Sequence, residues 1–226
     1  MWLEIEYMPT SLFSLKSSSA TSSGGKTLVS PSPYSVKMAL FNAIITFDSL
    51  EEAKTNFELI KNLEMQFRLS DKFVVNNCMI KILKIKHSSL YSPEDPFQST
   101  VAFREYIYFN DNIKIALKID DLLEKDVCFL QKWFAHINYF GKKGCFFQFV
   151  GSREIPEISS NEYSGILQGN LEPGILKTMD DIDKEATFDN INNYSSQKAK
   201  RTQKVYKFPY FQEQSSREYH CYERLS

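Results

Sequence analysis

Five apolar residues, Leu123, Val127, Leu130, Phe134 and Ile137, recur at i, i+4, i+7, i+11 and i+14, with Asp120 and Asp121 at the N-terminal end where the helix dipole favours acids. A helix with such a stripe must lay it on an apolar surface, and strand-like runs on both sides of it supply one. Trp2 to Met8 alternates Trp2, Leu3, Ile5 and Tyr7 with Glu4 and Glu6, the period of a half-buried strand. Runs rich in β-branched residues from Lys72 to Lys86, 101 to 109 and 113 to 119 predict three strands, and Cys145 to Val150 predicts another.

Ser32 and Pro33 read as an N-cap and first-turn proline before Val36, Ala39, Leu40, Ala43, Ile44 and Phe47, so a helix is predicted from about 33 to 46. Ser49 and Glu52 form a capping box ahead of Ala53, Phe57, Ile60 and Phe67, which predicts a second helix to roughly residue 67. The resulting order, β-α-(α)-β-β-(β)-α-β, predicts an α+β, ferredoxin-like (RRM-like) domain over 1–151. A long hairpin over about 76–105 projects from it, and 152–226 form a C-terminal, β-containing extension.

Charge is segregated along the chain. The 226 residues carry 27 Lys and Arg against 28 Asp and Glu, a net of −1, so no global basic field advertises a polyanion partner. Residues 152–195 nevertheless hold nine acids against three basic residues, whereas 196–210 hold five basic residues and no acid. Val205 to Phe211 and Glu218 to Tyr222 are expected to close the fold as a strand pair. Residues 9–32 contain nine Ser, three Thr and Gly24-Gly25, and are expected to be a polar loop that stays mobile until something binds it.

Four scattered Cys and three His suggest neither a disulfide framework nor a zinc site, and no cofactor or metal is expected. The absence of a basic N-terminal region followed by an apolar run, and of about 18 consecutive apolar residues, leads to the expectation of a cytoplasmic protein without a membrane partner.

Ala20 to Thr27 (A-T-S-S-G-G-K-T) approaches a Walker A loop, but Ala20 stands where the first glycine belongs and Leu28 to Pro33 is not the helix start that the phosphate site requires. The Gly141-Lys142-Lys143-Gly144 turn either caps the preceding helix or cradles phosphate with its amides and lysines. Lys81, Lys84, Lys86 and His87 lie along one strand arm, and Lys84 and Lys86 are expected to share a face. Such lysines either track a nucleic-acid backbone or keep an exposed hairpin soluble. Lys86 beside His87 leaves a metal-independent ribonuclease open, while His136 and His220 read as structural.

Three stretches carry a family resemblance: K-T-L-V-S-P-S-P-Y-S-V-K-M-A-L-F-N-A-I-I over Lys26 to Ile45, F-R-E-Y over Phe103 to Tyr106, and I-N-Y-F-G-K-K-G-C-F-F-Q over Ile137 to Gln148. Together, over about residues 1 to 150, they resemble the fifth CRISPR-associated protein family, a branch of the RAMP superfamily. The resemblance implies a subunit of a type I CRISPR surveillance complex (Cascade) that grips the 5′ handle of crRNA, caps the backbone filament and serves antiviral defence. It implies contacts with the backbone subunit, through the hairpin as a thumb, and with the large subunit. Target DNA is then met only through the complex.

Carried over by position, Lys26, Ser30, Ser32, Tyr34 and Lys37 would face the handle, Arg104, Lys142 and Lys143 would hold phosphates, and Lys84, Lys86 and His87 would lie on the thumb. Lys200 and Arg201 join them as the basic start of the closing strands. Most such members bind RNA without cutting it, so no catalytic residue is expected. A metal-independent endoribonuclease processing CRISPR precursor RNA and a protein-only scaffold are the alternatives.

Overall fold

The computed structural model describes residues 1–18, 20, 24–87, 90–167, 169, 173–192 and 195–225. In chain order the elements are β1 (Trp2–Pro9), β2 (Gly24–Gly25), α1 (Pro33–Phe47), α2 (Leu50–Thr55), α3 (Phe57–Lys61), β3 (Met65–Arg68), β4 (Lys72–Ile85) and β5 (Phe97–Phe109). They continue with β6 (Ile113–Lys118), α4 (Glu124–Phe134), β7 (Phe147–Ile155), β8 (Gly165–Ile166), β9 (Ile175–Ile182), α5 (Phe188–Ile191), β10 (Arg201–Phe208), β11 (Tyr210–Ser215) and β12 (Tyr219–Arg224). Among the described residues, no helix is long and apolar enough to cross a membrane.

Strands β3-β6-β1-β7 form an antiparallel sheet in that order, so the crossings β1–α1–β3 and β6–α4–β7 interleave. Leu3, Ile5 and Tyr7 face Leu117, Ile115 and Ile113 across the central pair, and all six are buried. Period-two alternation turns this set to one side of the sheet. Val36, Leu40 and Ile44 of α1 and Val127, Leu130 and Phe134 of α4 belong to the same core, and the Tyr7 hydroxyl donates to the carbonyl of Phe134 at 2.7 Å. Helix α1 starts as expected, with the Ser32 hydroxyl accepting from the Ser35 amide at 3.2 Å.

The predicted second helix is shorter and broken. Asn56 separates α2 from α3, and Met65 and Phe67 enter β3, pairing with Leu117 and Ile115. Phe67 lies seven residues past Ile60, a helical interval, but the alternation of Met65, Phe67 and Leu69 serves the sheet, where all three are buried. The expected mobile loop is also anchored. Phe13 exchanges both backbone hydrogen bonds with Ile107, at 3.0 and 2.7 Å, Ser17 donates to Lys26 at 3.0 Å, and Leu28 donates to Leu15 at 2.9 Å. Phe13, Leu28 and Val29 supply the buried apolar surface that orders this serine-rich stretch. Thr21, Ser22 and Ser23 of the Walker-like segment lie outside the described residues.

The hairpin β4–β5 belongs to a second sheet, ordered β11-β12-β4-β5-β2. Pro209 has no amide to continue a ladder and splits the expected closing pair: β10 joins β9, while β11 pairs with β12, which docks on β4. A third sheet, β8-β10-β9, brings the C-terminal segment to α1. Met179, Ile182, Tyr206 and Phe208 from this segment join one core with Leu3 and Leu40.

Two buried carboxylates, Asp181 of the acidic stretch and Glu4 of β1, fasten the C-terminal segment. Asp181, on β9, accepts Lys37 of α1 at 2.7 Å and Lys204 of β10 at 3.1 Å, and the Lys37 ammonium also donates to the Lys61 carbonyl at 2.7 Å. Burial lowers the Lys37 pKa, and the Asp181 charge opposes that shift. Glu4, on the other face of β1, is buried beneath Tyr163, whose hydroxyl donates to it, and lies 3.2 Å from Lys114 and 2.8 Å from Arg153. Burial raises the Glu4 pKa, but Tyr163, Lys114 and Arg153 outweigh it and leave the value below the ordinary 4.5.

Asp181→Asn removes the carboxylate beneath a fully buried ammonium and should cost about 3–5 kcal/mol of unfolding free energy, read by chemical denaturation. The Glu4 contribution is complete above its ordinary value and is lost as pH falls through the lower folded value. Melting temperatures recorded downward from pH 5 should therefore decline, and Glu4→Gln should flatten that decline.

Candidate RNA-binding cleft

A cleft of about 240 Å³ opens where four separate segments meet: the start of α1, the strand-like stretch around Leu15 to Ser18, the Gly141–Gly144 turn, and the facing parts of β9 and β10. Tyr34 is half-buried at its edge, and the guanidinium carbon of Arg201 lies 3.9 Å from the Tyr34 ring centroid. This stacking holds a planar cation and an aromatic ring together at the opening. Ser32 and Ser35 line the floor, their hydroxyls 2.8 Å apart. Lys16 and Lys142 are exposed at the margins.

The Gly-Lys-Lys-Gly turn is not the cap of the helix that precedes it. Helix α4 ends at Phe134, with Ala135 as its C-cap, and the turn instead joins the bridged residues Tyr139 and Phe146. Within it, the Lys142 amide donates to the Phe140 carbonyl at 3.0 Å, and the Cys145 amide that follows it donates to the Lys142 carbonyl at 3.2 Å. The Ser11 hydroxyl clamps the far side, donating to the Gly144 carbonyl at 2.8 Å and accepting from the Phe146 amide at 2.9 Å. Gly141 and Gly144 have φ of 73° and 103°, which is why the turn needs glycine at both ends. The cationic groups that it presents are therefore the exposed side chains of Lys142 and Lys143, with the Lys142 ammonium 6.0 Å from the Tyr106 ring centroid.

One acid enters the cleft. Asp180 accepts Ser18 and Gln203 at 3.1 Å each and lies 3.6 Å from Arg201, so nearby donors share its charge. The arrangement combines an aromatic ring, a stacked guanidinium, lysines from separate loops and a helix N-terminus, groups that grip the phosphates and bases of a single strand.

No protein-family model matches the chain. Over 203 residues it is 25% identical to CRISPR-associated protein Cas5 from Archaeoglobus fulgidus, covering 86% of this chain and 85% of that protein. The chain is thus similar to a Cas5 protein along most of its length. The crystal structure of a CRISPR protein from Archaeoglobus fulgidus shares its mixed α+β fold, with a TM-score of 0.51 and 12% identity over 100% of this chain and 92% of that one. A chain of a CRISPR RNA-guided surveillance complex gives a TM-score of 0.48 and 11% identity over 92% of this chain and 88% of that one, which is too weak a likeness to establish a shared fold.

The fold sorts the expected RNA-binding residues into groups. Ser32, Tyr34, Lys142 and Arg201 meet at the cleft, with Lys143 and Lys200 exposed beside their neighbours. Arg104 shares a face of β5 with Tyr106, where it covers Gly25 so closely that a Cβ there would meet its Cδ at 2.5 Å. Lys26 turns to the opposite face, 2.7 Å from Glu105. Ser30 and Lys37 do not face a ligand: both are buried, Ser30 with its hydroxyl on the Pro31 carbonyl and Lys37 on Asp181.

Lys84, Lys86 and His87 lie apart from the cleft, at the outer end of the hairpin. Lys84 is six residues beyond Cys78, the partner of Arg104, or about 20 Å along the strand. Lys81 is on the other face of β4 from Lys84, and Lys86 is ion-paired with Asp95. Lys16 and Asp180 were not singled out from the sequence. Lys16 had a readable cue, being a basic residue beside the apolar Leu15 in an otherwise polar run; Asp180 had none.

Gly141→Ala tests the turn. A Cβ there would come within 2.5 Å of Leu15 Cδ1, in a left-handed conformation that costs about 1–2 kcal/mol for an L-residue. Chemical denaturation should show a loss of at least about that size.

Proposed function

We infer that this protein is a non-catalytic RNA-binding subunit of a type I CRISPR surveillance complex (Cascade), which holds the 5′ handle of crRNA and caps one end of the backbone filament. The observation that carries this reading is the convergence of Tyr34, Arg201, Lys142 and Lys16 on one cleft in a chain similar to a Cas5 protein. Single-stranded RNA offers such a site both unstacked bases and closely spaced phosphates, and it is bound by aromatic stacking combined with cations.

The outer hairpin supports membership of a larger assembly. Met79, Leu83, Ile85, Val101, Phe103 and Phe97 share one face of β4 and β5, and each is more than half exposed. Apolar surface of this extent on a projecting arm suits burial against a protein neighbour, here the backbone subunit. The large subunit is the second protein partner, target DNA is met only through the complex, and the cytoplasm is the compartment in which these partners occur.

The absence of catalysis is part of the proposal. The His87 imidazole stands at the outer end of the hairpin, away from the cleft lysines, and its neighbour Lys86 is held by Asp95. This separation of His87 from the cleft lysines supports a role in holding RNA over one in cutting it.

Purified protein incubated with CRISPR repeat RNA in chelator should retain the RNA uncut, and products ending in a 2′,3′-cyclic phosphate that vanish in His87→Ala would instead establish the endoribonuclease. Replacing Lys142 and Lys143 together by Ala should weaken RNA retention and reduce the salt-dependence slope by about 0.7 for each lysine that meets a phosphate. Unchanged retention in this variant would favour the protein-only scaffold.

A further inference from the structure

A second and larger cleft, of about 520 Å³, lies on the other side of the Lys26–Leu28 stretch from the one described above. Its position follows from strand alternation. Arg104 and Tyr106 point to one side of β5, while Glu105 points to the other, together with Val75 of β4 and His220 and Tyr222 of β12. Lys177 of β9 closes the cleft from the third sheet, and Leu28, Val29, Val75 and Leu176 give it an apolar wall.

The charges in this cleft are not balanced within the chain. Glu105 is buried with both oxygens committed, one to the Lys26 ammonium at 2.7 Å and the other to the Thr27 amide at 2.8 Å. Among the described residues, Lys177 has no hydrogen-bonded or ion-paired carboxylate. Burial lowers its pKa, Glu105 partly opposes the shift and Lys26 adds to it. His220 uses Nδ1 on the Ser215 hydroxyl, 2.9 Å away, which leaves Nε2 as its remaining polar atom. Tyr222 stacks on Phe73 at 5.0 Å and forms a flat side to the cleft. A half-buried ammonium facing a cavity without its own anion is costly, and a bound anion removes that cost.

We propose that this cleft is a separate binding site for a phosphate monoester of nucleotide size, with Lys177, Lys26 and His220 around the phosphate and Tyr222 with the apolar wall around the sugar and base. The volume lies within the range of small-ligand pockets, and the mixture of an apolar wall with a few convergent polar groups is what such pockets use. A lone inorganic phosphate would leave most of the cavity unfilled. Two sources present the same chemistry, a free nucleoside monophosphate and the phosphorylated end of an RNA strand.

Titration calorimetry of the full chain with AMP, and with short RNA oligonucleotides bearing or lacking a 5′-phosphate, distinguishes the sources. AMP should bind saturably in the millimolar range or below, or the 5′-phosphorylated oligonucleotide should bind more tightly than its 5′-hydroxyl counterpart. Lys177→Met should weaken that binding by about tenfold or more, the loss expected for one charge-assisted contact. The Lys142 and Lys143 double variant should leave AMP binding intact. Lys177→Met removes an unpaired charge and should not lower the melting temperature; if it does, His220→Gln supplies the same test. The proposal is overturned if neither AMP nor the 5′-phosphate is recognised, or if the cleft variants bind as the parent does.

Discussion

The ion pair between Lys37 and Asp181 holds together the two parts of the chain that form the RNA-binding cleft. One partner comes from the first helix and the other from a strand 144 residues later, and both are buried. This contact fixes the third sheet against α1, next to the place where Tyr34 meets Arg201. Buried ion pairs add little net stability over apolar packing, but they fix register because only one arrangement satisfies both charges. Here the arrangement that does so also brings β10 across the mouth of the cleft.

Local charge placement carries the functional reading, since the chain as a whole is nearly neutral. Three acids are buried as fasteners: Glu4 beneath Tyr163, Asp181 between two lysines, and Glu105 under Lys26 and the Thr27 amide. Asp180 lines the cleft instead, and its oxygens are met by Ser18, Gln203 and Arg201. The lysines of the Gly-Lys-Lys-Gly turn, by contrast, remain exposed.

Local patterns in the sequence were reliable where one short-range rule acted alone. The Ser32-Pro33 start of α1, the Val127, Leu130 and Phe134 part of the α4 stripe and the alternation of β1 appear as expected, because capping, helical period and pleat depend on neighbouring residues, whereas Leu123 is the exposed N-cap and Ile137 lies past the helix end. Phe67 misled because its distance from Ile60 suits a helix while its neighbours suit a strand, and the edge of the first sheet decided between them. Lys37 misled differently. It shares a helical stripe with Leu40, Phe41 and Ile44, a sign that it faces the core, but a lysine is buried only when a partner waits there, and that partner was unknowable from the helix itself.

The sequence by itself determined the α+β class, the places of β1, α1, the β4–β5 hairpin, β6 and α4, the segregation of charge and the glycine-bounded lysine turn, because each is written in residues close together along the chain. Tertiary structure alone decided which cations share a cleft, which are buried and which sit at the outer end of the hairpin. The physical reason is that a side chain's face is set by its own strand or helix, whereas its company is set by elements more than a hundred residues away. Lys26 and Arg104 illustrate this: the pairing of β2 with β5 places their segments side by side, and a one-residue step along a pleat sends Glu105, and Lys26 with it, to the opposite side of the sheet from Arg104.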